Sequence, residues 1–211
     1  MNSAPYQEHA LHYDRWFDAN RLAYEAELQA VRSLLPQIGN ALRIEVGAGT
    51  GRFAVPLGMH IGIEPCAEMA LLAQKRGLAI IRGRAEALPL RDATVDLVLM
   101  VTVLCFVRDV RLALQEAARV LKSGGTLLIA LLDRSSPLGQ IYDKNKGKSL
   151  FYQGAKFHTT EEIVLLMQQF GFTEFQFRQT IFTQALQITA AEPIKEGYGQ
   201  GLFAVIRGQK Q

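Results

Sequence analysis

Leu42-Arg43-Ile44-Glu45-Val46-Gly47-Ala48-Gly49-Thr50-Gly51-Arg52-Phe53 is the stretch whose reading decides the fold. A short apolar run ends in an acid, glycines follow at every second position, and a helix-like segment comes after. This order predicts a strand over 42–46, a tight turn, and a helix beginning near Gly51. In an open α/β sheet such a turn is where a nucleotide-like ligand sits. Glycine suits it because the turn needs positive φ and the ligand must lie against bare backbone.

The departures from the dinucleotide pattern narrow the ligand. G-x-G-x-x-G would place its third glycine at position 52, where the chain has Arg52. Glu45 stands where a pyrophosphate would approach, and two negative groups at one helix N-terminus repel. A nicotinamide dehydrogenase is disfavoured on both grounds. A positively charged ligand suits Glu45 better, and S-adenosylmethionine carries a sulfonium and an ammonium with no phosphate. A glycine-rich turn alone is a weak signal, more often only a turn.

The wider composition is that of an ordinary globular chain. At 211 residues, 49% hydrophobic and 20% charged, it is expected to form one domain with a sizeable core. A net charge of +3 is too small to argue for nucleic acid or an anionic membrane. Only Cys66 and Cys105 occur, both in apolar stretches, so a reducing, cytoplasmic setting is expected, with neither a disulfide framework nor a metal site. No signal peptide is expected, because charges run through the first 32 residues. The longest largely apolar run, Leu97 to Val107, has 11 residues, whereas a membrane span needs about 20.

Along the chain, residues 6–19 are aromatic and polar without the stripe of a core helix, and 21–35 has apolar residues at helical spacing up to Pro36. Strands are expected at 60–64, 78–82, 95–102 and 126–132, and helices at 67–76 and 110–121. Strands that are near-continuous apolar runs alternating with helices predict a parallel sheet covered on both faces. After Asp133 the pattern changes. Residues 134–158 are irregular with one helix, 160–170 is an amphipathic helix that Thr159 or Thr160 can cap, and strands at 172–182 and 202–207 should pair as a long-looped hairpin.

Four blocks then align in order: Glu45 to Gly51; Gly62-Ile63-Glu64-Pro65; Gly83-Arg84-Ala85-Glu86-Ala87-Leu88-Pro89 with Val95-Asp96-Leu97-Val98; and Leu121-Lys122-Ser123-Gly124-Gly125. With them the chain resembles, over nearly its whole length, the class I S-adenosylmethionine-dependent methyltransferases, and within these the small ubiquinone-biosynthesis-like (type 11) group. The resemblance implies an α/β, Rossmann-like fold. Its sheet would be mostly parallel and seven-stranded, in the order 3-2-1-4-5-7-6, with helices on both faces and an antiparallel last strand. A single methyltransferase domain over 1–211 would comprise an N-terminal helical lid region at 1–40 and a substrate-side insertion at 134–158.

The resemblance also implies the cofactor, S-adenosyl-L-methionine, and its ligands. Gly47, Ala48, Gly49 and Gly51 would admit the methionine half, with Glu45 favouring its ammonium. Glu64, 17 positions past Gly47, stands near the separation at which an acid meets ribose hydroxyls, with Pro65 beside it. Ala85 would flank the adenine through its backbone. Arg84 stands where an Asp is frequent, leaving Glu86 as a substitute contact. Val101 and Thr102 would line the methionine moiety. Asp96 reads as a strand-end structural acid and Met69 as core.

Transfer from the sulfonium is an in-line displacement that depends on alignment in a dry pocket. If the acceptor is a hydroxyl or carbon acid, a base must take a proton. Candidates on the substrate side are His12, Tyr13, Tyr152 and His158, with Trp16, Tyr142, Lys195 and Tyr198 nearby in the pattern, and none is fixed by the residues alone. His9 and His12 lie three apart but lack an evident third ligand, so surface or lid histidines are the reading. The expected partner is a small-molecule methyl acceptor, with no nucleic acid and no membrane, acting as a monomer or homodimer. The alternatives are a cofactor-binding protein without catalysis and a nucleic-acid or protein methyltransferase. Base methylation is disfavoured because Val101-Thr102-Val103-Leu104 lacks the Pro-Pro-aromatic signature.

Overall fold

The computed structural model describes residues 4–37, 39 and 41–211; residues 1–3, 38 and 40 of the expected lid region lie outside the described residues. Three helices lead: α1 (Ala4–Glu8), α2 (Ala10–Ala19) and α3 (Arg21–Arg32). The alternating section follows as β1 (Arg43–Val46), β2 (Ile61–Ile63), α4 (Ala67–Lys75), β3 (Ala79–Ile81), β4 (Val95–Val101), α5 (Val110–Val120) and β5 (Leu121–Leu132). It closes with α6 (Pro137–Asn145), α7 (Thr160–Gln169), β6 (Phe172–Thr180), β7 (Lys195–Glu196) and β8 (Phe203–Lys210). No helix among the described residues is long and apolar enough to cross a membrane.

The strand order is β3-β2-β1-β4-β5-β8-β6-β7. The first five strands run parallel, and β8 inserts antiparallel between β5 and β6, which is the expected Rossmann-like plan. The sheet has eight strands rather than seven because Lys195 and Glu196 pair with Gln179 and Arg178 at the far edge. Two residues are too short a run to announce a strand by pattern.

Alternation along the central strands builds two cores. Leu97, Leu99 and Val101 face the side that carries α2 and α3, whereas Val98 and Met100 face α5 and α7. The same alternation on β1 sends Ile44 and Val46 to the α5 side and leaves Glu45, nearly sealed from water, facing the other way. On α7, Thr159 accepts from Glu162 N–H at 3.1 Å while Glu162 accepts from Thr159 N–H at 3.0 Å, so of the two candidate threonines Thr159 is the cap, and the bonding is reciprocal.

One element departs from expectation. The segment after Gly51 is a run of turns over 51–58, not a helix. Pro56 has no N–H to bond the carbonyl of Arg52, and the hydroxyl of Tyr24 from α3 donates to that carbonyl instead. Further on, Met59 N–H reaches back to the Ala54 carbonyl at 2.9 Å, out of step with a regular helix.

Gly62 of β2 sits beneath the glycine turn. A Cβ there would lie 2.7 Å from Ala48 Cβ and Ile80 Cδ1 and 2.8 Å from Leu78 Cδ2. Gly62→Ala is therefore expected to lower stability by about 1–3 kcal/mol through overpacking. The urea midpoint measures this; an unchanged midpoint would show that turn and strand yield to one methyl group.

Candidate active site

The cleft opens at the carboxyl ends of β1, β2 and β4, on the line where strand order reverses between β1 and β4. It spans about 520 Å³, part of it open to solvent. Gly47 and Gly49 form one wall, Glu64 to Cys66 and Met69 a second, and Val101 to Val103 the floor, with Tyr6, Tyr13 and Phe106 above. Gly47, Gly49 and Gly51 all have positive φ, of 73°, 53° and 81°, which L side chains rarely adopt.

Glu64 is held by the turn it faces. Its Oε2 accepts from Gly49 N–H and its Oε1 from Cys66 N–H, each at 2.8 Å. Burial pushes its carboxyl up, while these two donors pull against that. Each oxygen keeps a lone pair for a further donor. Glu45 is different. Its Oε2 is buried with no hydrogen-bond partner, and burial holds its carboxyl well above the usual range despite a bond from the Ala54 backbone. A second hollow of about 270 Å³ lies on it, lined by Tyr13, Phe17, Glu45, Ala48 and Arg52 among others. A buried acid with one oxygen left without a donor among the described residues, beside a glycine turn, fits a ligand that brings an ammonium.

Arg52, which breaks the dinucleotide pattern, anchors the roof. Its guanidinium grips Asp14 through Nε–Oδ1 and Nη2–Oδ2 contacts of 3.0 Å, and Asp18 through contacts of 2.7 and 2.8 Å. Arg76 adds a 2.7 Å contact to Asp14 and donates to the Thr50 carbonyl at 2.9 Å. Helix α2 is thereby tied to both the glycine turn and the end of α4. Burial alone would raise the Asp14 carboxyl, but the hydrogen bonds from Arg52 and Arg76 outweigh it and hold the group at about 2.

Behind Tyr13 and Thr102 lies an aromatic cavity of about 730 Å³, lined by Trp16, Phe17 and Phe53 from the first part of the chain and by Tyr142, Phe151 and Tyr152 from the 134–158 segment. Thr102, a non-glycine residue at φ 50°, lines this cavity, the cleft, the hollow over Glu45 and a smaller one beside His158. Its N–H bonds to the Ala130 carbonyl at 2.8 Å, which fixes the strained turn at the end of β4.

The expected residues therefore sort by place. Glu45, Gly47, Ala48, Gly49, Glu64, Pro65, Val101 and Thr102 all line the cleft or the hollow over Glu45. Gly51 lies buried just behind the turn. Ala85 is buried in the core under α5, and the carboxylate of Glu86 accepts from Arg108 N–H at 2.8 Å, so neither is among the cleft-lining residues. Tyr13 and Tyr152 meet in the aromatic cavity, where burial raises both phenols. His12 is exposed on α2, lines an open surface hollow and packs edge-on to Phe151, with ring centroids 5.7 Å apart. The His158 imidazole lies beside the aromatic cavity, not in it, its Nε2 buried without a partner and its proton affinity lowered by burial. Asp96 is a strut, accepting from Leu42 N–H and Lys122 Nζ at 2.8 Å. Lys195 lies over the Phe182 ring and Tyr198 against Phe177. Cys66 and Met69, expected as core only, are buried and also wall the cleft.

Two buried acids beside the site escape a reading of the sequence: Asp14 and Glu27. Both sit on apolar helical stripes, Asp14 between Ala10 and Phe17, and Glu27 between Ala23 and Val31. An acid at a core position of a stripe is the signal that marks them.

A strand order that reverses beside a glycine turn, with acids at the ends of β1 and β2, defines a class I methyltransferase architecture. The comparisons agree. Residues 44–129 match the family described as methyltransferase domain. The crystal structure of a Thermotoga maritima S-adenosylmethionine-dependent methyltransferase, described as a possible histamine N-methyltransferase, is 49% identical with a TM-score of 0.95. It covers 99% of this chain and 100% of its own. The Methanocaldococcus jannaschii protein MJ1123 is 40% identical over 205 residues, 97% of this chain and 98% of that one. A ubiquinone/menaquinone biosynthesis C-methyltransferase of Rubrivivax gelatinosus is 35% identical over 114 residues, 51% of this chain and 44% of that one. The chain belongs to the S-adenosylmethionine-dependent methyltransferase family, and S-adenosylmethionine is its cofactor.

Asp14→Asn tests the roof anchor. Because the folded carboxyl lies at about 2, below its unfolded value of 3.8, its contribution to stability is full above pH 4 and disappears as pH falls through 2. The variant should be about 1–3 kcal/mol less stable than the parent at pH 7, and the gap should close between pH 4 and 2 in urea titrations. A gap independent of pH would show that the ion pairs do not carry the effect.

Proposed function

We propose that the protein transfers the methyl group of S-adenosylmethionine to a small-molecule acceptor seated in the aromatic cavity. The observation that carries this reading is Thr102: one residue at the end of β4 borders both the cofactor cleft and the aromatic cavity behind it. A nucleic acid has no comparable surface to follow in a chain of net charge +3.

In this reading Glu64 receives the ribose hydroxyls, Glu45 the ammonium, and Gly47 to Gly51 the methionine backbone. Pro65, Val101 and Thr102 complete the cofactor's surroundings, and Ala85 and Glu86, which stand off the cleft, are left out of them. The cofactor supplies a methyl already activated by the sulfonium, so the chain's task is alignment and exclusion of water. Residues 1–40 serve as the lid, latched by Arg52, and residues 134–158 as the substrate-side wall. The edge-on packing of Tyr6, Tyr13 and Phe17 against Phe106, Phe151 and Phe53 supports that division. Tyr13 and Tyr152 shape the acceptor space; His12 and His158 flank it. The protein acts as a monomer or homodimer.

Thermal unfolding should shift upward with S-adenosylhomocysteine and stay unmoved by NAD. Glu64→Ala should weaken cofactor binding about tenfold or more, and Glu64→Gln should recover little of it, since an amide's NH₂ cannot accept from a hydroxyl. Unchanged affinity in both variants would make Glu64 a strand-end acid only. Turnover is read by incubating the protein with labelled S-adenosylmethionine and a metabolite extract. Cofactor binding without any labelled product would favour a binding protein without catalysis.

A further inference from the structure

The stripe that α3 turns to the sheet includes Ala23, Ala26, Glu27, Ala30 and Val31, so Glu27 takes a core position. Only 9% of it is exposed, and it has no hydrogen bond or ion pair among the described residues. Burial is the one influence on its carboxyl, which rises to about 8. The residue is not sealed in side chains, however; it faces the aromatic cavity of about 730 Å³.

The surroundings leave that acid unanswered. Tyr13, Tyr142 and Tyr152 are the titratable groups around it, and burial raises all three phenols, so they stay neutral. Arg52, placed over the Phe17 ring, is bound to Asp14 and Asp18. Glu27 is thus the one acidic or basic side chain lining the cavity among the described residues. Aromatic rings make up much of its lining, and the face of such a ring attracts cations. A neutral acceptor would gain at most an ordinary hydrogen bond from such an acid, whereas a cationic one gains a charge-assisted pair that favours the ionised carboxylate.

We infer that the aromatic cavity takes the methyl acceptor as an organic amine, with Glu27 as the acceptor-binding residue that pairs with its cationic nitrogen. The inference rests on the methyltransferase reading of the adjoining cleft. The ammonium proton passes to the Glu27 carboxylate. The freed lone pair forms the N–C bond as the C–S bond of the cofactor breaks. Sulfur leaves as a neutral thioether, and the positive charge ends on the methylated nitrogen.

The test is calorimetry on the full chain saturated with S-adenosylhomocysteine. The probes are 2-phenylethylamine, tryptamine and cyclohexylamine, each against its alcohol counterpart (2-phenylethanol, tryptophol and cyclohexanol). At least one amine should bind about tenfold or more tightly than its alcohol. Glu27→Gln should erase that preference while leaving S-adenosylhomocysteine affinity intact, and Glu27→Asp, which keeps the charge, should retain part of it. Equal binding of every amine and its alcohol, binding by no amine, or a preference that survives Glu27→Gln would overturn the inference. Loss of S-adenosylhomocysteine binding by the parent protein would instead strike the methyltransferase reading, so the two failures are separable. Thermal unfolding of the Gln variant shows that it is folded.

Discussion

A carboxylate taken out of water without a counter-charge is held against its desolvation cost, and Glu45 and Glu27 are such groups in this protein. Glu45 on β1 and Glu27 on α3 are both buried, both pushed toward the neutral form, and neither has an ion pair among the described residues. The protein has cations close by, but Arg52 and Arg76 are spent on Asp14 and Asp18. The site therefore keeps its demand for positive charge unmet by the fold. A sulfonium cofactor with an ammonium, and a cationic acceptor, are ligands whose charge answers that demand.

The rest of the architecture keeps those acids dry. Tyr13 stands at the centre, facing the cleft, the aromatic cavity and the hollow over Glu45 at once. It is positioned by α2, and α2 is tied down by the Asp14–Arg52 and Asp14–Arg76 pairs. Tyr24 on α3 closes the same seam by donating to the Arg52 carbonyl that Pro56 leaves without an N–H. Roof and turn are thus one unit. A charged network at the rim fixes the geometry, while the aromatic interior sets the dielectric in which Glu27 and Glu45 act.

How much of this could be read beforehand depends on whether the cause is local. The glycine turn, the acids ending β1 and β2, and the parallel strands were legible because each follows from short-range pattern: positive φ, strand ends, continuous apolar runs. The capping box at Thr159 is equally local. The helix expected after Gly51 failed at Pro56, a single missing donor inside an otherwise helical pattern. Lys195–Glu196 became a strand only because an edge was available. His12 reads like Tyr13 by residue type, yet one step around a helix sends it to solvent. Glu27 and Asp14 were overlooked because a tally of apolar residues skips the acid that shares their stripe.

The central claim is that positive ligand charge meets the buried acids, and a crystal structure of the protein with S-adenosylhomocysteine tests it most directly. The account places the ribose hydroxyls on Glu64, the ligand's amino group within hydrogen-bond distance of Glu45, and the thioether sulfur facing Thr102 and the aromatic cavity. A ligand bound with its amino group away from Glu45 and its ribose away from Glu64 would contradict it.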